Sequence, residues 1–306
     1  MFKPAFACII VAVTLSTSSV LAQQRADLEF EYSIDRPAFA PGLGPSVAID
    51  AGHHNIHTAI GRYKPFADLI SADGFRVSSI NGPLDAQALA GFDVLVIANA
   101  LNPVNHNNWI LPTPSAFSPR EVEAVRRWTE EGGSLLLIAD HMPFAGAAAE
   151  LAQAFEFTFV NGYAVKVADR STKFTFTTGQ GLDLETLGDM GLPPINRVVT
   201  ATGQAFKVPE AAQSLLTLIG DHVALLPIVA DEFDAKTPIF RVTGYSQGAV
   251  RSFGKGRIAV FGEASAFTAQ LSRKGGKMGM NAIGSEDNAP FVLKVLRWLV
   301  GYQKPG

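Results

Sequence analysis

Residues 47–57, VAIDAGHHNIH, concentrate the side chains most able to do chemistry. An apolar run ends in Asp50, and three of the chain's six histidines, His53, His54 and His57, follow within five residues of one another. Asp50, His53 and His57 offer a carboxylate and imidazoles, the ligand types of a divalent metal site. His53 and His57 are spaced i, i+4, which aligns two rings only on a helix, and Gly52 works against a helix there. A metal-free reading makes a histidine a general base oriented by a carboxylate. A third is binding alone, in which carboxylates, amides and imidazoles hydrogen-bond the hydroxyls of a sugar beside an aromatic face.

Three more apolar runs end in polar groups: Asn99 after VLVIA, Asp140-His141 after SLLLIA, and Glu263 after RIAVFG. In open α/β sheets ligands sit beyond the carboxyl ends of the strands, where the strand order switches direction. The candidate catalytic residues are therefore His53, His57, Asp140, His141 and Glu263. His141 would be an acid or base, and Asp140 and Glu263 ligands or orienters. His54 and Asn99 would contact a ligand, as would Asn105, His106 and Trp109 in the asparagine- and proline-rich loop 101–117. Each also has a plainer role, since a strand-end aspartate often caps a helix and a loop histidine often bonds the backbone. Recurrence at four strand ends favours a shared site, with Asp50 and at least one of its histidines facing Asp140-His141 across the switch point.

Gly244-Tyr245-Ser246-Gln247-Gly248 matches G-x-S-x-G, the nucleophile elbow of α/β-hydrolases. That elbow requires a helix directly after the serine and a histidine later in the chain. Here AVRSF, GKG and RIAVF read as a hairpin, and no histidine follows His222. Ser246 is therefore set aside as a nucleophile.

The elements that would position these groups alternate. Strands are predicted over 47–49, 75–80, 94–98 and 134–139, and another ends at Glu263. A helical stretch is expected up to residue 72, broken at Pro65, where a second helix starts. Short helical pieces are expected over 84–89 and from Pro143 to about residue 155. Ser118, Pro119 and Glu121 form a capping box that opens a helix ended by Gly132-Gly133. A last helix spans 288–300, burying Phe291, Val292, Val295, Leu296 and Leu299. This pattern implies an α/β fold with a flavodoxin-like, doubly wound, mainly parallel sheet. The domain would run over 47–306 after an extended lead-in at 23–46, with a β-rich insertion at about 156–255.

The first 22 residues read as a secretory signal peptide: Lys3, an apolar run over 5–15, and Val20-Leu21-Ala22 before the cut. The single cysteine, Cys8, lies inside it. The mature chain would then have neither disulfides nor a thiolate nucleophile, which suits a bacterial periplasm or medium. Apolar residues at 47% and charged residues at 17% describe a well-cored globular protein. A net charge of −3 without a basic cluster argues against nucleic acid as a partner. No later apolar run reaches the roughly 20 residues of a membrane span. The expected partner is a small molecule or oligosaccharide, and a divalent metal is the one cofactor to be considered.

Several stretches resemble a known group: DAGHHNIHTAIGRYKPFADLISADG, VLVIANAL, FSPREVEAVRRWTEEGGSLLLIADHMPFAGAAAELA, GKGRIAVFGEASAFTAQ and NAPFVLKVLRWL. Together they are similar to an uncharacterised family of secreted bacterial domains in the class I glutamine amidotransferase-like superfamily. That family lies near the GIFT-type domains of gliding-motility and intraflagellar-transport proteins. Similar domains occur fused to unsaturated rhamnogalacturonyl hydrolases. The resemblance covers most of 47–299 and is faint over the β-rich middle; it implies a flavodoxin-like sheet. It also exposes a departure. Glutaminases of the superfamily use a cysteine at a strand–helix elbow, where this chain has Asp140-His141, so glutaminase chemistry is excluded. The expectation is a secreted hydrolase-like enzyme acting on a carbohydrate or carbohydrate ester. The alternatives are a non-catalytic sugar-binding accessory domain and a protein–protein scaffold like the GIFT domains.

Overall fold

The computed structural model describes residues 24–304, so the signal peptide read over 1–22 lies outside the described residues. Three strands, Ser46–Asp50, Val94–Ala98 and Ser134–Ile138, are buried at every position. Unbroken apolar runs of this kind form where helices cover both faces of a parallel sheet. The five parallel strands lie in the order Arg76–Ile80, Ser46–Asp50, Val94–Ala98, Ser134–Ile138, Gly256–Phe261. The chain therefore steps outward to one side after its first strand and to the other side afterwards. The reversal falls between the strands that end at Asp50 and at Ala98.

Side-chain alternation assigns the two layers. Val47, Ile49, Val94 and Val96 pack with helices Lys64–Ala72 and Asn288–Leu299 on one face. Ala48, Leu95, Ile97, Leu135 and Leu137 pack with Val125 of helix Pro119–Glu131 and with Phe144, Leu151 and Phe155 on the other. The capping box at Ser118 and Glu121 is formed.

Beyond Gly256–Phe261 the sheet turns antiparallel through Ser246–Phe253 and Gln213–Thr217. It continues through Gly181–Leu182 and Lys173–Thr178 to Arg197–Ala201 at its edge. The result is an α/β fold built on one large mixed sheet flanked by helices. A separate three-stranded sheet, Tyr163–Lys166, His222–Leu225 and Ile239–Arg241, comes from the same β-rich region.

Two helices depart from the sequence reading. Residues 51–63 form turns, and the helix starts only at Lys64, with Pro65 in its first turn. The Asp50 carboxylate takes the Gly52 amide and the Asn55 side chain takes the His53 amide, which diverts donors from a helical ladder. The alanine-rich helix after Pro143 splits into Phe144–Ala147 and Ala149–Gln153. Among the described residues no helix is long and apolar enough to cross a membrane.

Candidate functional site at the strand ends

The first loop closes on itself. Asp50 is wholly buried, and both of its oxygens accept from His53 Nδ1, at 2.9 and 3.0 Å. Asn55 Nδ2 donates to Asp50 at 2.9 Å. His53 Nε2 donates to Glu121 Oε1 at 2.9 Å, which also accepts the Leu84 amide at 3.1 Å. Burial alone would lower the His53 pKa, but the hydrogen bonds and charges of Asp50 and Glu121 outweigh it and raise it. His53 is therefore clamped between two carboxylates, with neither ring nitrogen free to act as a base or ligand. The expected metal set Asp50, His53 and His57 is not assembled: among the described residues no three His, Cys, Asp or Glu side chains are placed to hold an ion.

Glu121 gives this clamp an acid limit. Burial would raise its pKa, but the amide and hydroxyl of Ser118, then His53 and the Leu84 amide, overcome that and lower it to about 2. A depressed carboxyl stabilises the fold above its unfolded value of about 4.3 and loses that contribution as pH falls toward the folded value. Glu121→Gln is expected to flatten the loss of stability between about pH 4.5 and pH 2. Denaturant midpoints of both proteins across that interval check it, and parallel curves would remove Glu121 from the account.

Asn99 joins the first loop to the fourth strand. It sits in the left-handed region at φ 50°, a conformation asparagine tolerates better than most residues. Its Oδ1 accepts the Asp140 amide at 2.9 Å, which orients its Nδ2 to donate to His57 Nδ1 at 3.1 Å. That contact fixes the tautomer, because His57 Nδ1 must accept and the proton resides on Nε2. Burial first, then the charge of Arg62, lowers the His57 pKa to about 3, so the ring is neutral. It lies 4.7 Å from the ring of Tyr63, centroid to centroid.

Asp140 and Glu263 form a carboxyl pair. Glu263 is 1% exposed and accepts the amides of Ser265 and Ala266 at 2.5 and 3.0 Å. Burial raises its pKa to about 7 despite those donors. Asp140 is only partly buried and reaches the surface. Burial and then the charge of Glu263 push its pKa well up, against bonds from the His141 and Ala264 amides and from Asn99. Two carboxyls that sense each other's charge in a buried setting do not both ionise cheaply. Tyr63, whose hydroxyl points to Ala264 O at 3.5 Å, senses both charges.

An aromatic rim adjoins the pair. The His141 Nδ1 proton is taken by Met142 O at 2.6 Å, which leaves Nε2 as the acceptor. The ring stacks on Tyr163 at 4.3 Å and 18°, and Trp109 stands edge-on at 6.1 Å. Phe233, 45% exposed, packs on the far side of Tyr163. Asp231 donates its amide to the Tyr163 hydroxyl at 3.1 Å and lies close enough to perturb His141 electrostatically. Asn55, Tyr63, Tyr163 and Asp231 were not among the sequence candidates, and Glu121 was read only as a cap.

The other candidates separate. Asn105 is buried and its Nδ2 donates to the carbonyls of Asn108, Ile110 and Pro112 at 3.1, 3.0 and 3.3 Å, which braces its own loop. His54 and His106 are exposed and face each other. Ser246 opens a strand, with its hydroxyl bonded to Gly248 O at 2.7 Å and no helix following.

No protein-family model matches the chain, and neither does any curated protein. Among solved structures it resembles the mmIFT52 N-terminal domain, with a TM-score of 0.57 at 14% identity over 83% of this chain and 97% of that one. At that identity the likeness is one of fold alone. Weaker likenesses link it to a cytoplasmic protein from Salmonella typhimurium LT2 (TM-score 0.46, 13% identity, 85% of this chain and 99% of that). A ThuA-like protein from Bacteroides uniformis follows (0.44, 12%, 90% and 97%).

Proposed function

We propose that the chain is an exported hydrolase-like enzyme acting on a carbohydrate or carbohydrate ester, on a flavodoxin-like scaffold of the class I glutamine amidotransferase-like type. The observation that carries this reading is the Asp140–Glu263 pair beside the His141–Tyr163–Trp109 rim. Asp140 is the partly exposed member, and burial and then the neighbouring Glu263 charge push its pKa well up, which favours its protonated form. A protonated carboxyl hands its proton to the leaving oxygen of a glycosidic or ester bond, and the resulting carboxylate takes one from the attacking water. Glu263 tunes Asp140. Trp109 and His141, both partly exposed, offer ring faces to a sugar over the buried Tyr163, and His141 Nε2 accepts from a hydroxyl.

A second reading, a sugar-binding accessory domain without catalysis, is favoured by one feature: Glu263, Asn99 and His57 are all hydrogen-bonded internally. A screen of pectin-derived oligosaccharides and acyl esters, followed for both product release and binding, separates the two. Turnover supports the enzyme. Saturable binding without turnover, weakened in Trp109→Ala, selects the accessory domain. Neither binding nor turnover across the panel would overturn both.

A further inference from the structure

Outside the strand-end pair, two imidazoles meet at the surface. His54 and His106 are both exposed, with ring centroids 4.7 Å apart and planes at 49°. Their positions are set by the backbone rather than by burial. His54 is held in the left-handed region at φ 48°, a conformation uncommon for residues other than glycine. The turn around it is pinned on both sides: Asn55 takes the His53 amide at 3.0 Å, and the Leu101 amide bonds His53 O at 2.8 Å. His106 follows the 3-10 turn Pro103–Asn105, which Asn102 caps and Asn105 braces. Two loops, joined by the Leu101–His53 bond, thus bring one exposed imidazole each into ring contact.

We propose that His54 and His106 are a chelating pair for a divalent transition-metal ion. A ring nitrogen about 2.0–2.1 Å from such an ion puts its ring centroid roughly 3.2 Å away, so a 4.7 Å separation subtends roughly 95° at the metal. That angle lies between the square and tetrahedral arrangements these ions adopt. Imidazole nitrogen selects copper, nickel and zinc over magnesium or calcium, with copper the tightest. Among the described residues no third His, Cys, Asp or Glu joins the pair, so solvent completes the coordination and the site is a surface clip. Its effect is to tie the loop that carries His53 and Asn55 to the loop that carries Trp109.

The test uses the tag-free full chain, stripped with a chelator, and titrates Cu²⁺, Ni²⁺ and Zn²⁺ calorimetrically in a non-coordinating buffer. One ion per chain is expected, tightest for Cu²⁺. His54→Ala and His106→Ala should each weaken binding about tenfold or more. Both side chains are exposed, and circular dichroism confirms that the variants fold. The Cu²⁺ resonance spectrum of the wild type should show two nitrogen ligands, falling to one in either variant. No binding by the wild type, or binding unchanged in both variants, would overturn the proposal.

Discussion

Asp140→Asn is expected to abolish any hydrolysis the wild-type protein performs and, at the same time, to stabilise the fold on the alkaline side. The two effects have one source. A carboxyl whose pKa is raised in the folded state imposes no penalty while both states hold the proton. The penalty grows as pH rises past the unfolded value, about 3.9 for aspartate, and is complete above the folded one. Asp140 and Glu263 are both raised, Asp140 partly by Glu263 itself. The amide keeps an acceptor for the His141 or Ala264 amide and carries no charge. Giving up one of those bonds costs about 1 kcal/mol, while each unit of upward shift removed returns about 1.4 kcal/mol. The net expectation is a higher denaturant midpoint than wild type at pH 8.5 and no gain near pH 4. Denaturant midpoints at the two pH values, set beside the turnover assay, decide it. An active variant would remove Asp140 from the chemistry. A variant with the same stability difference at both pH values would show that the pair does not titrate as described.

The Asp140–Glu263 pair was visible in the sequence as two polar strand ends, because an apolar run that stops at an acid is a local signal. The same holds for the capping box at Ser118 and Glu121 and for the hairpin that removes Ser246 from consideration. What the sequence could not show is pairing across distance. Glu121 lies 68 positions from His53, and nothing in its surroundings distinguishes a cap from a cap that also holds a histidine ring. The i, i+4 spacing of His53 and His57 misled for a physical reason: Asp50 and Asn55 captured the amides that a helix would have needed. Tyr163 and Asp231 come from the β-rich region, and their place beside His141 depends on how that region folds back over the strand ends. Asn99 was legible by position alone, and its two hydrogen bonds, to His57 and from the Asp140 amide, follow from the strand order.

The framework beneath the site rests on a buried ion pair, and breaking it is expected to cost more than any surface change. Arg297 and Asp73 are 1% and 0% exposed. The guanidinium grips both carboxylate oxygens, with Nε to Oδ2 at 2.8 Å and Nη2 to Oδ1, and it also donates to the carbonyls of Met190 and Arg36 at 2.6 and 3.0 Å. Asp73 in turn accepts the Ala38 amide at 2.8 Å. One pair thus joins the lead-in segment, the end of helix Lys64–Ala72 and helix Asn288–Leu299. Helix Lys64–Ala72 begins directly after Tyr63, the ring that packs on His57. Arg297→Met fills similar volume but strands the carboxylate, for an expected loss of about 3–5 kcal/mol. Adding Asp73→Asn removes the stranded charge while keeping an acceptor for Ala38, and should restore much of that loss. A double-mutant cycle on unfolding free energies measures the difference, and a coupling below about 1 kcal/mol would show that the pair is replaceable packing rather than the tie between these elements. The same variants distinguish support from chemistry. A destabilised Arg297→Met protein assayed well below its unfolding temperature should retain turnover, because neither residue touches Asp140, Glu263 or the aromatic rim.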